Sequence, residues 1–274
     1  MKNLLLPILA IAALPLIPTD AAAQFYVVAD DGSVLYRMES GTPAYVTFEN
    51  PNPYNGTVGT AVDLGLPSGT LWADHNIGAT NPEDYGDYYS WGETATKETY
   101  DWSTYFDTND VGQTFGKYNN DDGKTELETS DDVASQTWGG KWQMPTRAMI
   151  EELKSQCYWV WTTTYNGKSV NGYIVYKAKN DPDKGAKVTS DSSPSSDYDV
   201  ATDPHLFLPA AGFRQGSKLS DEGLKGYYWS RSLDPSDSQN AYNLHFHSGG
   251  VLGYCTSSRD CGFAVRPVVL PAAE

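Results

Sequence analysis

The fold class is indicated by an alternating stretch near the C-terminus, Tyr242-Asn243-Leu244-His245-Phe246-His247. Successive side chains of a β-strand point to opposite faces, so the apolar residues share one face and the polar residues share the other. We expect the three apolar residues to face a core, and Asn243, His245 and His247 to face solvent. The stretch therefore predicts a half-buried strand.

Polar residues dominate the next segment, which follows the predicted turn Ser248-Gly249-Gly250 and contains Tyr254-Cys255-Thr256-Ser257-Ser258-Arg259-Asp260-Cys261. These eight residues, 254–261, show neither a helical nor a strand period. The sequence therefore predicts a surface loop between two strands. Tyr offers a large contact area, Ser, Thr and Asp offer adaptable hydrogen bonds, and Arg offers a rigid donor fork, as in antibody paratopes. An ordinary solvated hairpin is the alternative. The predicted ligand-binding residues are Asn243, His245, His247, Leu252, Tyr254, Thr256, Ser257, Ser258, Arg259 and Asp260.

Elsewhere the pattern predicts two short helices among antiparallel strands and long loops, which is an α+β fold. One helix covers about Asp131 to Gln136, and the other runs from Thr146 as N-cap to about Cys157. A short hairpin is expected within 61–72, and a polar loop at 180–203. Further strands are expected at 159–162, 173–176, 206–214, 227–230, 241–246 and 262–269.

The first 23 residues are typical of a cleavable secretory signal, because Lys2 precedes an apolar run from Leu4 to Ile17 and then Ala21-Ala22-Ala23. We therefore expect an exported protein that is extracellular, on the cell surface or periplasmic. The run is shorter than the roughly 20 residues that a membrane-spanning helix needs, and no second run of that length occurs, so no transmembrane anchor is predicted. The absence of a cysteine at the cleavage site disfavours a lipoprotein anchor.

Residues 24–58 are predicted to form a small β extension and linker, and residues 59–274 the main domain. The extension contains strand-like runs on either side of the turn signal Asp30-Asp31-Gly32, and a turn-rich stretch at 50–56 ends it. Such a unit would suit docking to a surface-assembly partner by strand addition. A structural or tip subunit of a surface fibre is therefore the second functional hypothesis.

Composition narrows the possible partners. The formal charge of −16 disfavours binding to the phosphate backbone of nucleic acids. The 19 Tyr and 8 Trp residues suit short strands, long loops and recognition surfaces. Three cysteines, Cys157, Cys255 and Cys261, do not make a disulfide framework, although export would permit one local bridge between Cys255 and Cys261. Cys157 falls on the apolar face of the second helix and is predicted to be a buried thiol.

Six ordered motifs across residues 60–270 resemble one known family. They are Asp63-Leu64-Gly65-Leu66-Pro67-Ser68-Gly69-Thr70-Leu71-Trp72 with Asn76-Ile77-Gly78-Ala79, Ser90-Trp91-Gly92-Glu93, Trp138-Gly139-Gly140-Lys141-Trp142-Gln143-Met144-Pro145-Thr146, Leu208-Pro209-Ala210-Ala211-Gly212-Phe213-Arg214, Gly226-Tyr227-Tyr228-Trp229-Ser230 and Gly262-Phe263-Ala264-Val265-Arg266-Pro267-Val268. In this order they resemble the Fibrobacter succinogenes major paralogous domain family, which is related to formylglycine-generating-enzyme-like proteins. The resemblance implies a C-type-lectin-like fold, in which we expect Trp72, Trp91, Trp138, Trp142, Trp229 and Phe263 to be framework residues.

Residues 227–267 are also similar to the variable regions of diversity-generating retroelement target proteins. That resemblance implies a fixed framework with substitutable surface positions that bind a protein or glycan ligand. Every residue of the segment 254–261 belongs to the set that adenine-directed diversification would encode. Diversification is thus a second explanation for Cys255 and Cys261, besides a bridge.

Enzymatic and metal-dependent alternatives are disfavoured. Cys255 and Cys261 invite comparison with the copper-binding pair of formylglycine-generating oxidases, but the other motifs of those enzymes are not found. A zinc ion shared by His245, His247 and Asp260 is less expected than solvated histidines. The Glu-Pro-Asn and Trp-Asn-Asp signatures of calcium-dependent lectins are absent, and the acidic run at 119–123 lacks EF-hand spacing. No catalytic residue, metal ion or cofactor is predicted.

Overall fold

A computed structural model describes residues 56–108, 114–185 and 197–271, together with two strands at 25–28 and 34–38 that are described by their backbone alone. The side chain of Tyr254 is outside the described part. The chain divides into two compact units, residues 1–53 and 54–274. The predicted secretory signal at 1–23 lies outside the described residues, as does the turn-rich stretch at 50–55.

In the first unit, β1 (Phe25–Val28) and β2 (Val34–Met38) form an antiparallel pair in which Phe25 lies opposite Met38. The pairing shifts between Val27 and Val28. The strand-like run predicted at 44–48 lies outside the described residues.

The second unit contains two α-helices and twelve strands within the described ranges. The helices are α1 (Val133–Thr137) and α2 (Arg147–Gln156), and short 3-10 turns cover Thr129–Asp131 and Asp181–Asp183. The strands are β3 (Ala61–Val62), β4 (Leu71–Ala73), β5 (Trp142–Gln143), β6 (Cys157–Thr162), β7 (Gly172–Lys177), β8 (His205–Pro209), β9 (Phe213–Gln215), β10 (Lys218–Ser220), β11 (Lys225–Leu233), β12 (Asn240–His247), β13 (Gly250–Ser258) and β14 (Val268–Val269).

These strands form four small antiparallel sheets, in the orders β3-β4-β14-β5, β6-β7-β8, β10-β9 and β11-β12-β13. Two short helices among mostly antiparallel strands confirm the α+β class that the sequence predicts. The predicted hairpin within 61–72 is present as the antiparallel pair β3 and β4.

Both predicted helices form close to their expected positions. The Thr146 side chain accepts a hydrogen bond from the backbone N–H of Met149, which is the N-cap geometry that starts α2. Ile150 and Leu153 are buried on one face of α2, as the spacing predicts. The first predicted helix is shorter than expected. The Asp132 side chain accepts a hydrogen bond from the backbone N–H of Ser135, so α1 begins only after Asp132, and a separate 3-10 turn precedes it.

Two strand predictions need correction. The run 206–214 is broken between β8 and β9, where Gly212 has a φ of +67° and an added Cβ would lie 2.2 Å from the Ser220 carbonyl oxygen. The run 262–269 is a strand only at Val268–Val269. Its first part cannot form one ladder, because Gly262, Phe263 and Ala264 bond in turn to three different segments of the chain.

The sheet β11-β12-β13 lies between two hydrophobic clusters. Tyr228, Leu244 and Phe246 belong to a cluster that includes Leu153 of α2, whereas Trp229 belongs to a second cluster. Of the six residues expected to form the framework, Trp72, Trp91, Trp138, Trp229 and Phe263 are buried and Trp142 is half-buried. The sheet is thus held from both sides by packed aromatic residues.

Candidate functional site

The segment predicted to bind a ligand forms an edge strand and not a loop. Its first five residues, 254–258, continue β13, which pairs antiparallel with β12 alone among the described strands. In this register Tyr242 lies opposite Thr256, and Asn243 lies opposite Cys255. The prediction of a loop was wrong because the backbone hydrogen bonds of an edge strand need no periodic side chains.

Seven described residues that reach solvent, five on β13 and two on the neighbouring β12, form a surface that we call the β13 rim. Leu252 and Thr256 are exposed, and the others are half-buried: His245, His247, Cys255, Ser257 and Ser258. Six of the seven are predicted ligand-binding residues, and Cys255 is the addition. Because β13 is an edge strand, its side chains reach solvent on both faces of the sheet.

His245 is stacked on an aromatic neighbour in the adjacent strand. Its ring lies 4.4 Å from that of Tyr227, at an interplanar angle of 12°. The Cys255 Sγ atom lies 3.9 Å from His245 Nδ1, and His245 Nε2 has no hydrogen-bond partner among the described residues. Burial lowers the pKa of His245, and Lys225 adds to this effect. His245 therefore favours the neutral imidazole.

His247 is oriented by the turn between β12 and β13. The backbone N–H of Gly249 donates to His247 Nδ1 at 2.9 Å. Because an accepting ring nitrogen has no proton, the neutral form of His247 holds its proton on Nε2. The two histidines therefore differ, because Tyr227 covers one face of the His245 ring whereas His247 carries a donor at Nε2 in its neutral form.

A β-bulge blunts the outer edge of β13. The pairing shifts opposite His245 and Phe246, where Gly253 has a φ of +80°. The Lys154 side chain lies against Gly253, and its ammonium donates to the Leu252 carbonyl at 3.2 Å. Bulges and edge lysines discourage the addition of another strand. The rim therefore offers its side chains for contact more readily than its backbone.

Asn243 is a correction to the predicted site. Its expected position on the solvent face was wrong, because the residue is 1% exposed. Its amide Nδ2 donates to the Cys255 carbonyl at 3.1 Å and to Ser257 Oγ at 3.0 Å. Since only a nitrogen can donate to a carbonyl, these bonds also fix the orientation of the amide. Asn243 therefore ties β12 to β13 from within.

Arg259 is the second correction, since it is wholly buried. Its Nε donates to Tyr105 Oη at 2.9 Å, and one terminal nitrogen donates to the carbonyls of Tyr118 and Ser238 at 3.2 and 3.1 Å. The guanidinium lies over four aromatic rings, at 4.3–5.9 Å from their centres: Trp91, Tyr105, Phe115 and Tyr118. Aromatic faces and carbonyl oxygens replace the water that a buried cation loses.

Asp260 is the third correction, with 6% exposure. Its carboxylate accepts a hydrogen bond from the Ser258 hydroxyl, and its backbone carbonyl accepts one from Ser90 at 2.8 Å. Burial raises the pKa of the Asp260 carboxyl. Asp260 thus belongs to the turn after β13 and not to the rim. For Tyr254, the remaining predicted residue, only the backbone position in β13 is described.

The cysteines are free thiols, so the bridge considered between Cys255 and Cys261 is absent. Cys255 lies half-buried on the rim, whereas Cys261 is buried in the hydrophobic cluster that contains Trp229. Burial raises the pKa values of Cys157 and Cys261 to about 12. Their thiols are therefore protonated at neutral pH.

Metal ligands do not converge in the described part of the chain. Within it, no group of three or more His, Cys, Asp or Glu side chains is placed to hold a metal ion, including His245, His247 and Asp260. In the acidic run at 119–123, Asn119 and Asp122 accept hydrogen bonds from nearby backbone N–H groups, as turn residues do.

Tyr227 is a neighbour of the site that the sequence did not predict. It is half-buried, and its ring contacts Phe213, Phe263 and His245. Its relation to His245 depends on the register of β11 and β12, which pairs the two residues directly. That register also depends on an irregularity in the pairing between Trp229 and Leu233, which the alternation of residues does not predict.

Comparison of the chain with protein-family models, with curated proteins and with solved structures found no match. In the described ranges, no helix has the length and apolar character needed to cross a membrane.

Proposed function

We propose that the chain is an exported binding protein, of adhesin or receptor-like type, that contacts a protein or glycan ligand through the β13 rim. The proposal includes the C-type-lectin-like fold and the diversification of surface positions that the two sequence resemblances imply. It assigns no catalytic step to the rim.

One observation supports this proposal most strongly. The rim residues reach solvent at a sheet edge, while the sheet beneath them is fixed on both sides by buried aromatic residues. A contact surface of this kind loses little conformational entropy on binding, because its backbone is already ordered. The His, Ser and Thr side chains of the rim then provide polar contacts, and a different residue at any of these positions would provide a different contact.

The test compares two matched arginine substitutions in the full chain. Thr256→Arg places a long charged side chain on the rim, and Thr163→Arg does the same at an exposed residue between β6 and β7. Purified wild-type chain and both variants are applied to an array of glycans and to an array of purified exported proteins, and bound chain is quantified.

We expect the wild type to bind a discrete set of ligands, Thr256→Arg to weaken that binding by about tenfold or more, and Thr163→Arg to preserve it. The array on which binding occurs then identifies the ligand as a glycan or a protein. Absence of binding by the wild type, or equal binding by both variants, would contradict the proposal.

A further inference from the structure

The sequence of β13 does little by itself to fix the pairing register between β13 and β12. Its segment Thr256-Ser257-Ser258 is polar on both faces, and one-residue slips are weakly opposed in strands of that kind. A one-residue slip would turn the rim side chains that lie on β13 to the opposite face of the sheet. The register must therefore be specified by residues outside the rim.

The Asn243 side chain bonds to the main chain in the middle of β13. Its amide donates to the Cys255 carbonyl, a bond that is independent of the side chain at position 255. The second bond, to Ser257 Oγ, does depend on a side chain. Because Asn243 is buried, a slipped register would leave its Nδ2 donor without the Cys255 acceptor, which is costly in the interior.

Arg259 fixes the end of β13 in a similar way. Its backbone N–H donates to the Gln239 carbonyl at 3.0 Å, and its carbonyl accepts from Trp91 N–H at 2.9 Å. Its guanidinium is held by the aromatic and carbonyl groups described above, so the residue cannot move by one position without leaving a buried charge. At the bulge within β13, Gly253 adopts a left-handed conformation that favours glycine at that position.

We infer that Asn243 and Arg259 are positioning residues that set the register of β13, so that the rim residues can vary without changing it. This inference deepens the proposed function and rests on it for its biological meaning. The register itself is measurable without any ligand.

The experiment measures NOE contacts between main-chain protons of opposed residues in the isotope-labelled full chain, together with amide hydrogen exchange. The pairs Ala241–Ser257 and Asn243–Cys255 report the register. The variants are Asn243→Ala, Arg259→Lys, Arg259→Met and the double surface variant Leu252→Ser/Thr256→Tyr. Asn171→Ala is the matched control, because Asn171 also donates its side-chain amide to a backbone carbonyl, that of Gly223, at 2.7 Å.

We expect the surface variant and Asn171→Ala to keep the wild-type contacts in β13. Asn243→Ala and Arg259→Met should lose them or show a second, shifted set, with exchange of the 255–258 amides faster by about tenfold or more. Arg259→Lys keeps the charge, so its 255–258 amides should exchange more slowly than those of Arg259→Met. Arg259→Lys also serves as the test if Arg259→Met does not fold.

Wild-type contacts and exchange in both Asn243→Ala and the Arg259 variants would overturn the inference. That result would leave the array experiment unaffected, since the wild-type rim would still be present. Conversely, failure of the array experiment would leave a measured register intact, so the two failures are distinguishable.

Discussion

The guanidinium of Arg259 donates a hydrogen bond of 2.9 Å to the hydroxyl of Tyr105, which in turn donates to the Trp91 carbonyl at 2.6 Å. The chain of bonds links the residue after β13 to a segment more than 150 positions earlier. Asp107 lies 3.6 Å from the same guanidinium. Arg259, which the sequence predicted to lie at the surface, is thus buried and bonded to several polar groups.

Substitution of Arg259 should destabilise the protein strongly. Arg259→Met would leave the Tyr118 and Ser238 carbonyls without their donor, and Asp107 without its nearby cation, at a cost of about 2–4 kcal/mol in the free energy of unfolding. Arg259→Lys should cost less, because the cation remains. Urea denaturation measures both variants. A loss below about 0.5 kcal/mol for Arg259→Met, as for ordinary surface residues, would show that the buried contact contributes little.

The thiols should differ in reactivity. Burial raises the pKa of Cys255, which is half-buried on the rim, and it raises the pKa values of the buried Cys157 and Cys261 to about 12. Because the thiolate is the reactive form, we expect iodoacetamide to label only Cys255 in the native chain and all three cysteines in urea without reductant. Mass spectrometry of peptides identifies the labelled sites. Only one labelled cysteine in urea would instead indicate a bridge.

The stability of the protein should depend on His245 at mildly acidic pH. The pKa of His245 is lowered from 6.5 by burial, so the unfolded chain binds a proton at this residue before the folded chain does. The contribution is fully present above pH 6.5 and is lost as the pH falls through the folded pKa. His245→Gln should therefore lose less stability than the wild type between about pH 7.5 and pH 5. A folded pKa above 6.5 by NMR titration would refute the assignment.

Gly226 is required for close packing between β11 and β12. A Cβ at this position would lie 2.1 Å from the ring of Phe246, its partner across the two strands. Phe246 is fully buried, so Gly226→Ala should lower the free energy of unfolding by about 1–3 kcal/mol. Gly249→Ala is the control, because its added Cβ meets only two atoms of the half-buried His247 ring, the nearer at 2.9 Å. Equal stability of the two variants would argue against this packing.

Local periodicity predicted much of the fold. The spacing of Ile150 and Leu153 located α2, and the alternation around Leu244 and Phe246 located β12. Burial of Asn243 could not be predicted this way, because its partners lie on a strand 12 and 14 positions later in the chain. The environment of Arg259 likewise consists of rings from 91–118, which no local pattern associates with it.

The same reasoning explains which parts of the candidate site were predicted. His245 and His247 reach solvent as the alternation along β12 predicts, and Thr256 does so as its polar character predicts. Exposure on a strand follows from alternation and from polar character, both of which are local. Whether a polar residue is instead buried with a partner depends on distant segments, so polar character alone misplaced three residues of the site.

The most direct test of the central claim is the free energy of unfolding of Leu252→Ser/Thr256→Tyr, which changes the two exposed rim residues, measured by urea denaturation of the full chain. If rim side chains are dispensable to a frame that holds β13 from beneath, this value should lie within about 1 kcal/mol of the wild type, with an unchanged slope. A loss of more than about 3 kcal/mol, or of the cooperative transition, would mean that these side chains are part of the folded scaffold and not a replaceable contact surface.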